Sequence, residues 1–591
     1  MDKYQRDLLI AYVGIIIGLL ISLFSPKIRN WLFSLQQAYQ ALVVLILILI
    51  PLVIVFSSSI YSFISIRNAY RKQLQNLSAQ QQTLARIASE RHIDLSKEHA
   101  MISPEEMRIV LNSFVMEYFS GEVPPFNRQT YHKDDDRERI PLCGDVKVSE
   151  EIRYLLTLPI VERLRSIKQL SFAYLLYPGA VHTRIEHSLG VMYWTSRICQ
   201  NNRERVGFTN SEIRFAEIAA LIHDIGHGSW GHGLEPLASL FAGIDGEYRY
   251  DKIRLIKFLS DENSPIARGL ENIGITRKDM FDFFKYPENL NPKMMFVNDL
   301  IDSEVDVDRL DYINRDAYHA NGPIGEVSVD SIVSNAIAKK NGQIQGSEKF
   351  TLVYDHSASG TLRTFVQNRD SMYAQVYEHD IKVSGEEMLL HAVFSLFKRL
   401  SLNENDLENI LRLNDGDLLA LLRLFGNDYE RKMVQGILNH EIYFALDHFP
   451  VEVAEENEVS FRAKLYELAS YLKIVGFNEK IEVERRFMKK CLSRDDPVPD
   501  IFFRAPDYLP KRVRADELKP RDDRKKAMIL KDDVPVSLSS YFQTKFSVSP
   551  ERKSFRVLLP PSLRDRTAEL RKSFNDFVEN ERWKPHVSES Q

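Results

Sequence analysis

A chain of 591 residues with 44% hydrophobic and 27% charged residues has room for several domains and the make-up of a globular protein with a sizeable core. Its 77 basic and 82 acidic residues leave a formal charge of −5, which excludes an electrostatic case for nucleic acid as the main partner. The three cysteines, Cys143, Cys199 and Cys491, lie far apart, form no CxxC pair and cannot all be bridged, so they read as reduced thiols.

In chain order, the first features are two uncharged apolar runs, Leu8 to Phe24 and Ala41 to Ile66. A membrane helix needs roughly 20 mainly apolar residues, and no small-residue cleavage site follows the first run, so residues 1–66 read as a transmembrane helical hairpin. Lys3 and Arg6 precede the first run, and Arg67, Arg71 and Lys72 follow the second. That basic bias places both ends in the cytoplasm, as a multi-pass protein of the cytoplasmic membrane whose main domain faces the cytoplasm. Residues 67–145 read as a juxtamembrane linker: a polar helix over 67–93, then a loop rich in Pro, Gly and charge over 120–145.

From 146 to 400 apolar residues recur at three- and four-residue steps, the helical period, in stretches such as "EHSLGVMYWTSRICQ", "SEIRFAEIAALIHD" and "VDRLDYINRDAYHA". "NGQIQGSEKFTLVYDHS" reads as a small hairpin. Residues 401–591 continue with helices and end in a Pro-punctuated tail with strand-like "KAMILKDD" and "SFRVLLPP". Its mixed-sign charge run reads as a solvated surface.

Five of the fifteen histidines fall between His182 and His232. In order, His187, the adjacent pair His223-Asp224 and Asp308 each sit at a separate helical stretch, so three packed helices can bring them to one point. Two imidazoles and two carboxylates form a mixed nitrogen and oxygen donor set for a divalent ion: Mn, Fe, Mg, Zn, Ni or Co. An ion would also compensate the burial of those carboxylates.

The order His, then His-Asp, then Asp resembles the signature of the HD superfamily of metal-dependent phosphohydrolases. The flanking text "TLPIVERLRSIKQLSFAYLLYPGAVHTRIEHSLGV", "LIHDIGHGSWGH", "DVDRLDYINRDAYH" and "RDSMYAQVYEH" is similar to its deoxynucleoside triphosphate triphosphohydrolase branch. The resemblance implies a mainly α fold, an HD-domain helical bundle over 146–400 with a small α+β C-terminal region over 401–591, preceded by the two transmembrane helices. It implies that His187, His223, Asp224 and Asp308 bind the metal and that His232, Glu235 and His227 serve catalysis, the first two in proton transfer. Arg184, Arg309, Tyr312 and Arg369 match positions that hold triphosphate and sugar. Gln169, Leu170 and Asp316 match positions around the sugar, Tyr377 and His379 fall near the base, and Tyr373 stands where mammalian members have a histidine. The mammalian members' second His-Glu pair finds no counterpart in "GIDGEYRYDKIRLIKFL", so proton transfer rests on His232 and Glu235. Thr157, Glu162 and "IPLCGD" depart from the nucleotide-sensing segment, which argues against guanine-nucleotide activation of that design.

The expectation is a membrane-anchored enzyme that hydrolyses dNTPs to deoxynucleoside and triphosphate; a homo-oligomer is compatible with it. Two alternatives stand beside it. One keeps the metal site but acts on a monophosphate, a cyclic or alarmone nucleotide, or a nucleic-acid end. The other is a non-enzymatic membrane scaffold with a degenerate HD core.

Overall fold

The computed structural model describes residues 102–583, apart from 120–122, 132–136, 242–249, 323–326, 345–346, 452–459, 507–525, 543–553 and 582. The chain divides into two compact units, 1–75 and 76–591, and every described residue belongs to the second. The apolar runs at 8–24 and 41–66 and the polar helix at 67–93 lie outside the described residues. Among the described residues no helix is long and apolar enough to cross a membrane.

The second unit is mainly helical with small sheets. Helices α1 (Arg184–Asn201), α2 (Asn210–Ile222), α3 (Tyr250–Ser260) and α4 (Val307–Ala320) surround the HD motif. Beyond them come α5 (Ser359–Met372), α6 (Asp380–Leu400), α7 (Glu404–Arg412) and α8 (Asp415–Phe425). Helix α2 starts cleanly because Thr209 and Glu212 form a reciprocal capping box. The Asp306 carboxylate accepts from the Arg309 backbone N–H and starts α4.

Leu189, Ile218, Leu221, Leu310 and Ile313 meet in one apolar core between α1, α2 and α4. Each such buried side chain contributes about 1.5–3 kcal/mol. Two glycines set how closely the helices approach. A Cβ at Gly190 would overlap the Asp311 carboxylate and the Arg315 guanidinium, so glycine lets α4 lie against α1. A Cβ at Gly226 would overlap the Asp251 carbonyl, so glycine lets α3 close over the turn that follows α2.

A second core joins Leu389, Leu390 and Phe394 of α6 to Leu407 and Leu411 of α7, Leu418 of α8, and Trp230 and Leu234. A third fills the space between helices Phe461–Ile474, Phe477–Leu492 and Thr567–Asn580 and a three-stranded sheet whose middle strand is Ser554–Leu559.

Two differences from the sequence reading come from strand pairing, one local and one over a long distance. Residues 120–145, read as loop, include strand Arg137–Ile140, which pairs antiparallel with Gly144–Lys147. Strand Met528–Lys531, in the C-terminal tail, pairs parallel with Ser347–Tyr354 of the predicted hairpin and antiparallel with Val534–Ser537. Ala527, Ile529, Leu538 and Phe542 thereby enter the first core.

Candidate active site

Helix α2 stops at Ile222, so His223 is its C-cap residue and Asp224 lies in the turn beyond. This turn meets His187 on the first turn of α1 and Asp308 on the first turn of α4. His187 Nε2 lies 3.1 Å from Asp308 Oδ1 and 3.8 Å from Asp224 Oδ2. His223 Nε2 lies 3.3 Å from Asp224 Oδ1 and 3.7 Å from Asp308 Oδ1.

The outer faces of both imidazoles are held. His187 Nδ1 is 2.9 Å from Asp311 Oδ2, and Asp311 is itself gripped by Arg315 through two hydrogen bonds of 2.7 and 2.8 Å. His223 Nδ1 donates to the Ala220 carbonyl at 2.7 Å. When Nε2 gives up its proton to make room for a cation, these contacts hold the remaining proton on Nδ1 and each Nε2 can present a lone pair, the tautomer a metal ligand requires. Neither buried Nε2 makes a hydrogen bond. Ligands bonded to one cation at roughly 2.0–2.2 Å stand about 2.9–3.6 Å apart, so the shorter two separations match ligand edges and the longer two need only small closure. His187, His223 and Asp308 each bring one ligand atom within 4.8 Å of the other two. The residues fit a divalent ion.

The electrostatics agree. Burial opposes charge on His187, yet Asp308, Asp311 and Asp224 outweigh it and push the imidazole up to about 10. His223 is raised in the same way, against burial, by Asp224 and Asp308. Burial would raise Asp308, but His187 and His223 hold it well below the usual carboxylate range. A field this anionic collects protons in place of a cation, so ion binding would release them.

The turn after Asp224 adds a second group of side chains. His227, buried, places Nε2 3.4 Å from Asp224 Oδ1 and 3.5 Å from Asp251 Oδ2. Burial first, then the Arg184 charge, hold its imidazole below the ordinary value. His232 is exposed and its Nδ1 lies 2.8 Å from Glu235 Oε1. The two residues sit on the 3₁₀ helix Gly231–Leu240, where positions three apart eclipse. Desolvation pulls the His232 imidazole down, and the Glu235 carboxylate outweighs it, so the ring is raised above its ordinary value.

Asp251 was not singled out from the sequence. The segment "GIDGEYRYDKIRLIKFL", in which no His-Glu pair is found, places Asp251 buried on the first turn of α3 against His227. Its one sequence signal is an acid at the start of an amphipathic helix, a position acids commonly occupy for other reasons. Asp311 was missed similarly, because five acids within residues 302–311 read as surface.

Asp316 and Tyr312 share a face of α4 with Asp308 at four-residue spacing. Asp316 Oδ1 is 2.7 Å from His182 Nε2, and its Oδ2 accepts from the Tyr377 hydroxyl at 2.7 Å. The Tyr312, Tyr373 and Tyr377 rings stack edge to face, with centroids 6.1 Å apart for Tyr312–Tyr377 and 5.0 Å for Tyr373–Tyr377. Tyr312 also lies 6.3 Å from the His187 ring, so this aromatic group borders the metal ligands. Arg184 is buried and donates from Nη1 to Asp224 Oδ2 at 2.8 Å, while its Nε makes no hydrogen bond. Leu170 is buried, and Gln169 leaves a buried side-chain oxygen without a hydrogen bond.

Two predicted substrate residues have other partners, and a third has none among the described residues. The Arg309 guanidinium pairs with Asp306 and the Ser303 carbonyl at the start of its own helix. His379 caps α6, accepting from the Ile381 N–H at 3.3 Å. Arg369 is half-buried on α5 and makes no side-chain hydrogen bond or ion pair among the described residues.

Comparison with known proteins agrees with this geometry. The model for the HD domain matches residues 184–316, which hold all four predicted metal ligands. An uncharacterised protein of Methanocaldococcus jannaschii is 26% identical over 55% of this chain and 64% of its own length. The Bacillus subtilis protein YwfO is 31% identical over 39% of this chain and 48% of its own. The Gallus gallus deoxynucleoside triphosphate triphosphohydrolase SAMHD1 is 26% identical over 54% of this chain and 56% of its own. The chain thus covers less than two thirds of the length of each of these relatives.

Proposed function

We infer that this chain is a metal-dependent nucleotide phosphohydrolase, with dNTPs as its leading substrates and deoxynucleoside and triphosphate as products. The observation that carries the reading is the pair of buried Nε2 atoms of His187 and His223, unbonded and turned toward Asp224 and Asp308. The similarity to a named dNTP triphosphohydrolase supports the choice of substrate.

A divalent ion held by His187, His223, Asp224 and Asp308 would neutralise a phosphoryl oxygen and activate water. The chain's own residues supply the rest. Arg184 fixes the Asp224 carboxylate and offers its buried Nε to a phosphate oxygen. His232, whose protonated form is favoured by its pairing with Glu235, gives a proton to the 5′-oxygen as the bond to the α-phosphorus breaks and water's oxygen takes its place. Asp316, oriented by His182 and Tyr377, accepts from a sugar hydroxyl, and the three tyrosines form an aromatic wall for the nucleoside. The two apolar N-terminal runs would anchor the enzyme to a membrane.

The test is product analysis with Mn²⁺ and a panel of nucleotides. Inorganic triphosphate is the expected product. Orthophosphate or a linear nucleotide as product would overturn the dNTP assignment in favour of another nucleotide, and the absence of turnover across the panel would overturn the enzymatic reading.

A further inference from the structure

The turn carrying Asp224 and His227 exposes three successive backbone carbonyls to two buried guanidiniums. Arg163 donates from Nη2 to the Ile225 carbonyl at 3.4 Å and the His227 carbonyl at 2.5 Å. Arg254 donates from Nη1 to the Gly226 carbonyl at 2.5 Å. Both arginines are anchored by one distant segment. Arg163 Nη1 reaches the Leu411 and Leu413 carbonyls at 3.2 and 3.4 Å, and Arg254 forms a two-pronged pair with Glu408 at 3.0 Å on each arm.

The same segment holds the far end of the turn. Asp415 accepts from the Trp230 N–H at 2.7 Å and from the Lys168 N–H at 2.9 Å, and its carbonyl accepts from the Trp230 indole at 3.1 Å. Trp230 has φ +59°, a left-handed conformation that costs a bulky residue energy and persists only when its surroundings impose it. Lys168 immediately precedes Gln169 and Leu170.

We propose that Arg163 and Arg254 are positioning residues for the catalytic turn, and that residues 408–415, outside the matched HD domain, are the anchor that aims them. The arrangement is costly for stability alone. Burial and the neighbouring Arg254 charge pull Arg163 down to about 9, and an apolar filling would avoid bringing two guanidiniums together. What it achieves is fixed placement of the carbonyls flanking Asp224 and His227, where small displacements of reacting groups are expensive in rate.

The proposal rests on the site being catalytic, and the test separates the two. Arg399 and Glu430 make a pair of the same kind away from the site, with two arms of 2.9 and 3.3 Å and a third bond from Arg399 to the Phe425 carbonyl at 3.0 Å. Glu408→Gln, Arg254→Lys and the control Glu430→Gln are made in the full chain, and kcat and KM for dGTP, bound Mn²⁺ and the thermal midpoint are measured. Glu408→Gln and Arg254→Lys are expected to lower kcat by about tenfold or more, with KM and Mn²⁺ content near wild type. Glu430→Gln is expected to lower the midpoint comparably and leave kcat unchanged. Wild-type kcat in Glu408→Gln or Arg254→Lys, or an equal kcat loss in the control, would overturn the proposal. A wild-type protein that neither binds Mn²⁺ nor turns over a nucleotide would instead overturn the functional reading beneath it.

Discussion

Among the described residues, two of the buried clusters that combine histidine with carboxylates end differently. In the first, His391 Nδ1 donates to the Glu387 carbonyl at 2.8 Å and Nε2 lies 2.9 Å from Glu484 Oε2. Its ring stacks on Phe502 at 3.9 Å, Lys480 pairs with Glu387 at 2.7 Å, and the other Glu484 oxygen accepts from the Phe503 N–H. Both ring nitrogens of His391 therefore have protein partners. In the second, His187 and His223 satisfy Nδ1 alone and leave Nε2 unbonded among carboxylates. Buried polar atoms are normally satisfied, so the first cluster ties α6 to helix Phe477–Leu492, and the second is shaped for something the protein does not itself provide.

The comparison breaks most severely at the metal ligands. Asp308→Asn should abolish turnover while leaving the protein helical by circular dichroism; retained turnover would erase the distinction between the clusters. The next largest effect belongs to His232→Ala, which should lower kcat by about 10²–10⁴-fold without loss of metal. Glu235→Gln should cost less, and the double variant should fall short of the product of the single losses, because the two act as a unit. Single-turnover assays of the three variants check this.

The pH dependence sharpens the same point. His232 is raised above its ordinary value, so its ring is cationic below that raised pKa and can donate a proton there. The rate should fall as pH rises through it. Glu235→Gln removes the carboxylate that raises it, so the descending limb of kcat/KM should move to lower pH. A limb that stays in place would assign the proton to another group. The smallest effect on activity is expected in the comparison cluster. Glu484→Gln should cost about 1–3 kcal/mol of stability, read by denaturant unfolding, with Mn²⁺ content and kcat unchanged.

Much of the site was legible because its signal is local or ordered along the chain. His223-Asp224 interrupts an apolar helix, and His187 and Asp308 stand at fixed places on helices of clear period. What was not legible depends on pairing across long separations. Glu408 meets Arg254 across 154 residues, and Asp415 meets Lys168 across 247. Charged residues on amphipathic helices read as solvated until a partner is known. Asp251 was hidden for the same reason, its role created by Gly226, which lets α3 close over the turn. Arg309 shows the converse. Its match to a triphosphate-holding position suggests phosphate binding, and the structure pairs it with the Asp306 cap three residues earlier. The parallel pairing of Val353 with Met528 likewise leaves no trace in strand-like composition.

The central claim is that the unbonded imidazole nitrogens mark a metal centre, and elemental analysis of the full chain tests it most directly. Wild-type protein exchanged into Mn²⁺ and freed of excess ion should retain the metal tightly. The His223→Ala/Asp224→Ala variant should lose it and stay folded, and His391→Gln should keep it. Wild-type protein that holds no divalent ion, or a double variant with unchanged metal content, would contradict the account.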